Sequence, residues 1–208
     1  MREDFRVATL DSLEIWEIAK AQRGRLVRKN ADRVDLLGCL ETTKEIWTLS
    51  GRKPFRFVTV ADEEMPAQFC WAHYDGTGVI VKAPQILRHR ALIGDGDARF
   101  VIARGLGTAT LHLEALLERS GQSRPLFEKV VGACSSQWQG GLFATGFLVD
   151  DTAWRLPSFE AISIQAGIGV IRAKTFLTHM DWAVSRSDLD SRLRAIADKV
   201  RQAAVCRR

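Results

Sequence analysis

The sequence lacks the long hydrophobic runs of a membrane protein. No stretch reaches the ~18 consecutive apolar residues that a membrane-spanning helix requires. Residues 1–6 are rich in charge, and no apolar signal-peptide core follows them. These absences predict a soluble, cytoplasmic protein with no membrane partner.

Cysteine is scarce as well. Cys39, Cys70, Cys134 and Cys206 are widely spaced and form no Cys-x-x-Cys pair. Four scattered cysteines are too few for a disulfide scaffold, and their spacing does not suit a zinc knuckle. We therefore expect most of them to be ordinary buried or free thiols.

The chain has 208 residues, and 46% of them are hydrophobic. A chain of this length can bury a substantial core and fits one domain, or one domain with a small appendage. Internal repeats and low-complexity segments are absent from the sequence. We therefore expect an ordinary globular fold.

Positive charge is concentrated towards the C-terminal end. Residues 155–208 contain ten Lys or Arg and five Asp or Glu, whereas residues 1–154 contain twenty of each. We predict a main domain at residues 1–150 and a basic helical segment at residues 151–208, divided where the charge balance shifts. Such a segment can face nucleic acid or an acidic protein, and its simpler interpretation is a solvated helix face.

Hydrophobic periodicity and turn signals predict helices and strands in mixed order. Asp11 and Glu14 have the spacing of a capping box at a helix start. A strand is expected at 55–60, and a hairpin at 69–82 is indicated by its Asp75-Gly76 turn. The predicted helices cover residues 12–28, 32–41, 86–93, 97–118, 126–131 and 137–148.

Residues 94–112, with the sequence GDGDARFVIARGLGTATLH, form the most informative stretch. They resemble the central helix of the ImmA/IrrE-type zinc peptidases, which carry a run similar to GDGRARFTLAHELGHLLLH. Residues 94–103 agree with that run, and so do Leu106, Gly107, Leu111 and His112. The resemblance implies an α+β, zincin-like peptidase fold, in which a small antiparallel sheet packs on a helical core.

The metal-binding residues that the resembled family carries on that helix are replaced in this sequence. In His-Glu-x-x-His, two imidazoles one helical turn apart bind Zn²⁺, and the Glu acts as general base for the zinc-bound water. Arg104, Gly105 and Thr108 stand at the positions that the resemblance assigns to His, Glu and His. Arginine is a permanent cation, glycine removes the base, and threonine is a poor zinc ligand.

A second run, at residues 137–150, resembles the family run EREANRFAAELLMP. The pairs at 143–144 and 147–148 keep the family pattern, but Gln137 and Gln139 replace its two Glu residues. In the resembled family a Glu of this helix is the third zinc ligand, and Gln139 lacks its carboxylate charge. The sequence therefore predicts no catalytic residue, no metal and no cofactor.

Arg104 suggests a different use for the site. The resemblance places it at the bottom of the former zinc cleft, near Thr108 and Gln139, where a bidentate cation captures a carboxylate or phosphate. Alternatively, Arg104 fills the vacated metal position and bonds to glutamine and backbone oxygens. His112 and Gln137 complete the candidate ligand-binding or partner-binding residues, although a helix-end histidine is commonly satisfied by backbone or water.

Residues 158–180 have the pattern of two helices joined by a turn at 166–169, similar to a helix-turn-helix. Arg172 and Lys174 are placed to reach phosphate or base edges, and IrrE-type proteins carry helix-turn-helix-like elements after the peptidase part. The alternative is that these helices close the core. Residues 189–205 predict a final amphipathic helix that packs on the body or forms a homodimer contact.

The expected function is non-catalytic. Relatives of the resembled family act on transcriptional repressors, often those of mobile elements. A chain that keeps the cleft and loses the metal is expected to bind a partner protein, a repressor or regulator, without cutting it. One alternative is a zinc peptidase with ligands drawn from His73, His89 or His112. The other is a DNA-binding regulator that uses Arg172 and Lys174.

Overall fold

The computed structural model of the chain describes residues 4–27, 33–119, 130, 132–150, 153, 156 and 158–185. Within these ranges the chain forms a four-stranded sheet and eight α-helices. The strands are β1 (Glu45–Thr48), β2 (Gly51–Val60), β3 (Trp71–Tyr74) and β4 (Val79–Pro84). The helices are α1 (Ser12–Leu26), α2 (Leu36–Thr42), α3 (Gln85–Leu92), α4 (Gly96–Leu111), α5 (Leu113–Glu118), α6 (Ser136–Leu148), α7 (Phe159–Ala166) and α8 (Val170–Ser185).

The sheet confirms the α+β class and corrects the predicted strand arrangement. Its order is β1-β2-β4-β3. The hairpin β3–β4 and the pair β1–β2 are antiparallel, but β2 and β4 pair in parallel, from Phe55 opposite Val79 to Val60 opposite Pro84. The expectation of an antiparallel sheet was therefore wrong. The more apolar hairpin strand, β4, takes the buried central position, and this brings it beside β2 in the same direction.

Two helix predictions compare closely with the structure. The capping box of α1 is confirmed, because the Asp11 side chain accepts from the Leu13 N–H at 2.9 Å while Glu14 accepts from the Asp11 N–H at 3.1 Å. The single helix expected at 97–118 is instead broken at His112. This residue leaves helical geometry at φ −121° and ψ 30°, and it separates α4 from α5.

Helix α4 lies at the centre of the core, and α6 packs closely along it. Two glycines make this approach possible. A Cβ atom on Gly107 would stand 2.9 Å from the Phe143 ring, and one on Gly140 would stand 3.1 Å from the Arg104 Cγ atom. Each glycine therefore lets a side chain of the facing helix lie close against its backbone, and a methyl group at either position would force that side chain to move.

Arg99 joins the first half of α4 to the C-terminal end of α7. Its Nε donates to the Gly167 carbonyl at 3.0 Å, and its Nη2 donates to the Val34 carbonyl at 2.8 Å. Burial, together with the neighbouring Arg33 charge, lowers the pKa of Arg99 to about 10, so it stays protonated at neutral pH. A cation at the end of α7 also complements the negative pole of that helix.

The structure confirms the two C-terminal helices, α7 and α8, and the turn between them. Ala173 and Phe176 of α8 are buried, and the Phe176 ring stacks on Trp16 of α1 with centroids 5.1 Å apart. The helices therefore pack on the body of the protein, as one of the two sequence hypotheses expects. A DNA-binding role for them stays a prediction.

Several sequence predictions lie outside the described residues. They are the helix at 126–131 except residue 130, the final helix at 189–205 with its homodimer contact, and Cys206. The boundary between residues 150 and 151 stays a prediction. No helix in the described part of the chain combines the length and hydropathy that crossing a membrane demands.

Candidate functional site

The two runs that the sequence singled out meet in the structure. Arg104, Gly105 and Thr108 lie on α4, and Gln137 and Gln139 lie in the first turns of α6. The two helices touch at residue 140, where a Cβ atom would stand 3.1 Å from Arg104 Cγ and 3.3 Å from Thr108 Oγ1. The candidate site is therefore centred on the contact between α4 and α6.

Gly105 has a packing role that the sequence did not reveal. A Cβ atom at this position would stand 2.5 Å from the Cys70 sulfur and 3.2 Å from a Val81 methyl carbon. The Cys70 side chain, buried before β3, thus occupies the space into which any side chain at position 105 would extend. These residues are 35 positions apart in sequence, and no local pattern connects them.

Thr108 and Gln139 bond to the backbone. The Thr108 hydroxyl donates to the Arg104 carbonyl one turn earlier, at 3.2 Å. The fully buried Gln139 donates its amide to the carbonyls of Ala8 and Ala133, at 2.7 and 2.6 Å. Gln139 therefore holds the N-terminal segment against the start of α6, and Gln137 is the glutamine that lines the hollows around Arg104.

Arg104 is only 8% exposed and borders two hollows. The smaller, about 10 Å³ in volume, lies beside Cys70 and Thr108. The larger, about 340 Å³, lies between α4, α6 and α8, and we call it the central cleft. Its lining includes Asp4, Phe100, Arg104, Gln137, Trp138 and Arg172.

Arg172 lies on the wall of the central cleft. Its guanidinium carbon stands 4.3 Å from the centroid of the Phe100 ring of α4, in cation–π geometry. Lys174, two residues later, is exposed. The two residues proposed for nucleic-acid contact therefore lie in different surroundings, and the structure brings Arg172 together with Arg104 around one cleft.

Asp4 is a cleft residue that the sequence reasoning missed. Its carboxylate accepts hydrogen bonds from the Ser135 hydroxyl at 2.8 Å, the Ser136 hydroxyl at 3.0 Å and the Gln137 N–H at 3.1 Å. It thus binds at the N-terminal end of α6, where the helix dipole favours a negative charge. The contact spans more than 130 residues, so no sequence spacing signals it.

His112 is buried beside the N-terminal segment. Its ring packs edge-on against Phe5, with centroids 6.1 Å apart, and none of the described residues bonds to its Nε2 atom. Burial lowers the pKa of His112 to about 4, against opposing contributions from backbone hydrogen bonds at Ser136 and Leu111 and from the Asp4 charge. The imidazole is therefore neutral at pH 7. It is not among the described lining residues of the central cleft.

The other two candidate histidines are separate from this site. His73 lies on β3 and stacks on the Trp71 ring with centroids 5.0 Å apart. Its pKa is lowered, first by burial and then by the charge of Lys82. His89 is exposed on α3.

The residues at the resembled zinc position do not fit a zinc ion. A permanent cation stands at 104, no side chain stands at 105, the Thr108 hydroxyl donates to its own helix, and Gln139 donates to two carbonyls. Across the described residues, no three His, Cys, Asp or Glu side chains lie close enough together to hold a metal ion. The geometry at 104–108 instead places a guanidinium beside a cleft.

Comparison with protein-family models gives no match, and none of the curated proteins compared is similar to the sequence. The likeness to ImmA/IrrE-type peptidases therefore rests on the residues of the two runs described above.

Proposed function

We propose that this chain is a non-catalytic, peptidase-like regulatory protein that binds a partner protein, a transcriptional repressor or regulator, without cleaving it. The observation that carries this proposal is the position of Arg104. Arg104 lies at the contact of α4 and α6, at a position that the resemblance assigns to a zinc ligand, and it borders a cleft of about 340 Å³.

The chemistry of the site favours binding over hydrolysis. Hydrolysis of the resembled kind requires a base one position after Arg104, and that space contains the Cys70 sulfur. A buried guanidinium is a poor general base, because it stays protonated at neutral pH. It is a strong donor to carboxylates, and this suits recognition of a partner.

The shape of the surface favours a polypeptide partner. The central cleft adjoins a second hollow of about 370 Å³ between α3, α4 and α8. Phe100 and Arg172 line both hollows, so the two lie next to each other. Two adjacent hollows suit an extended segment better than one compact small molecule, and the exposed Ile171 beside the second hollow adds apolar contact area.

The proposal is tested by capturing partners from the native host on the purified protein, followed by intact-mass measurement of what is bound. We expect the wild type and Lys174→Ala to retain the same partner at its full mass, and Arg172→Ala to retain less. A cleaved partner together with one zinc per chain would overturn the proposal. Equal capture by all three proteins would show that the partner does not bind at the central cleft.

A further inference from the structure

We propose that the outer face of the sheet, the side turned away from the core, binds single-stranded nucleic acid through base stacking and phosphate contacts. The side chains of this face that would make the contacts are Trp47, Arg52, Arg56, Trp71, His73 and Lys82. None of them is among the described lining residues of the central cleft. The outer face is therefore a second binding surface, independent of the proposed function.

The register of the sheet places these side chains on one side. The opposite pairs are Trp47 with Arg52, Arg56 with Ile80, His73 with Ile80 and Trp71 with Lys82. Directly opposite residues share a face, and so do residues two or four positions apart on one strand. Rings and cations from all four strands therefore project from the same side of the sheet.

The core lies on the other side of the sheet. Its sheet residues, from the alternate strand positions, are Ile46, Phe55, Ala72, Val79, Val81 and Ala83. In the described part of the chain, no residue of the outer face belongs to this core. Trp47 is 43% exposed, and the side chains of Arg52 and Arg56 are each 61% exposed. The outer face is thus open to a partner.

Aromatic rings stand at both edges of the outer face. On β3, the Trp71 and His73 rings stack with centroids 5.0 Å apart and planes inclined by 27°. On β1, the Trp47 ring carries the Arg25 guanidinium at 4.7 Å from its centroid. The bases of a single strand offer planar faces to such rings, whereas a duplex keeps its bases stacked on one another. A base on the Trp71–His73 pair extends an existing stack.

Cations accompany the rings. The Lys82 ammonium stands 5.9 Å from the Trp71 ring centroid, and none of the described carboxylates forms a salt bridge with it. Arg52 pairs with Glu45, and Arg56 pairs with Asp75, both in exposed salt bridges. Exposed pairs of this kind stabilise a protein very little, so both guanidinium groups can exchange a carboxylate for a phosphate at small cost.

The charge of the outer face suits a polyanion. Arg25, Arg52, Arg56 and Lys82 stand against Glu45 and Asp75, which leaves a net charge of +2. Three acids at 62–64 follow the C-terminal end of β2 and limit the binding surface on that side. An acidic peptide would satisfy the cations but would leave the rings without planar groups to stack on. The combination of rings and cations therefore favours nucleic acid.

Fluorescence anisotropy with labelled oligonucleotides tests the ligand chemistry. The probes are oligo(dT) and oligo(U) of about twelve nucleotides, a matched duplex, an abasic chain of equal length and polyglutamate. We expect oligo(dT) to bind about tenfold or more tightly than the abasic chain, because only oligo(dT) stacks. The duplex and polyglutamate should also bind more weakly. Oligo(U) should match oligo(dT), since no strand position of the outer face carries a hydroxyl or amide side chain to select the sugar.

Variants locate the binding surface. Trp71→Leu should lose about tenfold in affinity for oligo(dT), and Trp71→Phe, which keeps a ring, should lose much less. Lys82→Ala should weaken binding and reduce the slope of log affinity against log salt by about 0.7. Lys174→Ala is the matched control, because it removes an exposed lysine from α8, and it should bind like the wild type. Where Trp71→Leu unfolds at a lower temperature than the wild type, Lys82→Ala and its salt slope carry the test.

Three results would overturn the proposal. Absence of oligo(dT) binding at low salt is the first. Equal affinity for oligo(dT) and the abasic chain is the second, because it would show that any polyanion suffices, an acidic peptide included. The third is wild-type binding by Lys82→Ala together with weakened binding by Lys174→Ala, which would move the contact to α8. Partner capture at the central cleft is a separate measurement, so each result leaves the proposed function unchanged.

Discussion

The sulfur of Cys70 lies 2.5 Å from the point at which a Cβ atom on Gly105 would stand. A helix interior normally disfavours glycine by about 1 kcal/mol relative to alanine. At position 105 the absence of a side chain is what lets the thiol pack on the central helix. The contact with Cys70 therefore explains why position 105 of α4 is a glycine, which the sequence alone does not explain.

This contact predicts that Gly105→Ala destabilises the protein. The methyl group would overlap the buried Cys70 sulfur, and overpacking of this kind costs about 1–3 kcal/mol. Adding Cys70→Ala removes the sulfur that the new methyl group would overlap. The double variant should therefore lose less unfolding free energy than the sum of the losses in the two single variants. Urea unfolding of the four proteins measures the coupling, and additive effects would contradict the contact.

Gly24 provides the matched control. It lies in α1, and a Cβ atom built there meets nothing within 4 Å. Gly24→Ala should therefore follow helix propensity alone and raise the unfolding free energy by up to about 1 kcal/mol. Opposite signs for the two Gly→Ala changes would show that Cys70 determines the effect at 105.

Asp4 is predicted to be a major stabilising residue despite its place near the chain start. Asp4→Ala would leave the Ser135 and Ser136 hydroxyls and the Gln137 N–H without their buried acceptor. We expect a loss of about 2–4 kcal/mol in unfolding free energy. Asp35→Ala is the comparison, because exposed Asp35 accepts one backbone bond at the start of α2, and its loss should cost about 1 kcal/mol. Equal losses would contradict the network at Asp4.

The parts of this fold that sequence predicts are local. The capping box at Asp11, the hairpin around Asp75, the start of α4 and the extent of α6 all follow from residues within a few positions of one another. The spacing of Arg104 and Thr108 likewise places them one turn apart on a single helix. Short-range hydrogen bonds and periodic burial determine these features, and the local pattern of residues predicts both.

The parts that sequence does not predict depend on contacts between distant residues. Asp4 bonds to residues 131–133 positions away, and Arg172 stacks on Phe100 across 72 positions. The parallel pairing of β2 with β4 depends on which hairpin strand takes the sheet interior. Each of these contacts and pairings depends on packing between distant parts of the chain. Turn signals and residue spacing therefore do not predict it.

His112 predicts a specific pH dependence of stability. Burial lowers its pKa from 6.5 to about 4. As the pH falls below 6.5 the unfolded chain binds a proton and the folded chain does not, so the unfolding free energy decreases until the pH reaches about 4. His112 should contribute about 2 kcal/mol of this loss between pH 7 and pH 5. His112→Gln should remove that part, as chemical denaturation at each pH would show.

The control for His112 is His89, which is exposed. His89→Gln should keep the wild-type dependence of stability on pH, since this substitution leaves the buried His112 ring in place. A wild-type slope that persists in His112→Gln would show that the buried imidazole is not its source.

Arg99 predicts that the shape of a cation matters as much as its charge in the core. One guanidinium donates to carbonyls of two separate segments, at Val34 and Gly167. An ammonium is compact and lacks the fork that reaches both, so Arg99→Lys should lose about 2–4 kcal/mol of unfolding free energy. Arg88→Lys, at a partly exposed pair with Glu41, should change stability by less than about 0.5 kcal/mol. Comparable thermal unfolding of Arg99→Lys and the wild type would show that α7 is held to α4 by packing, without this bridge.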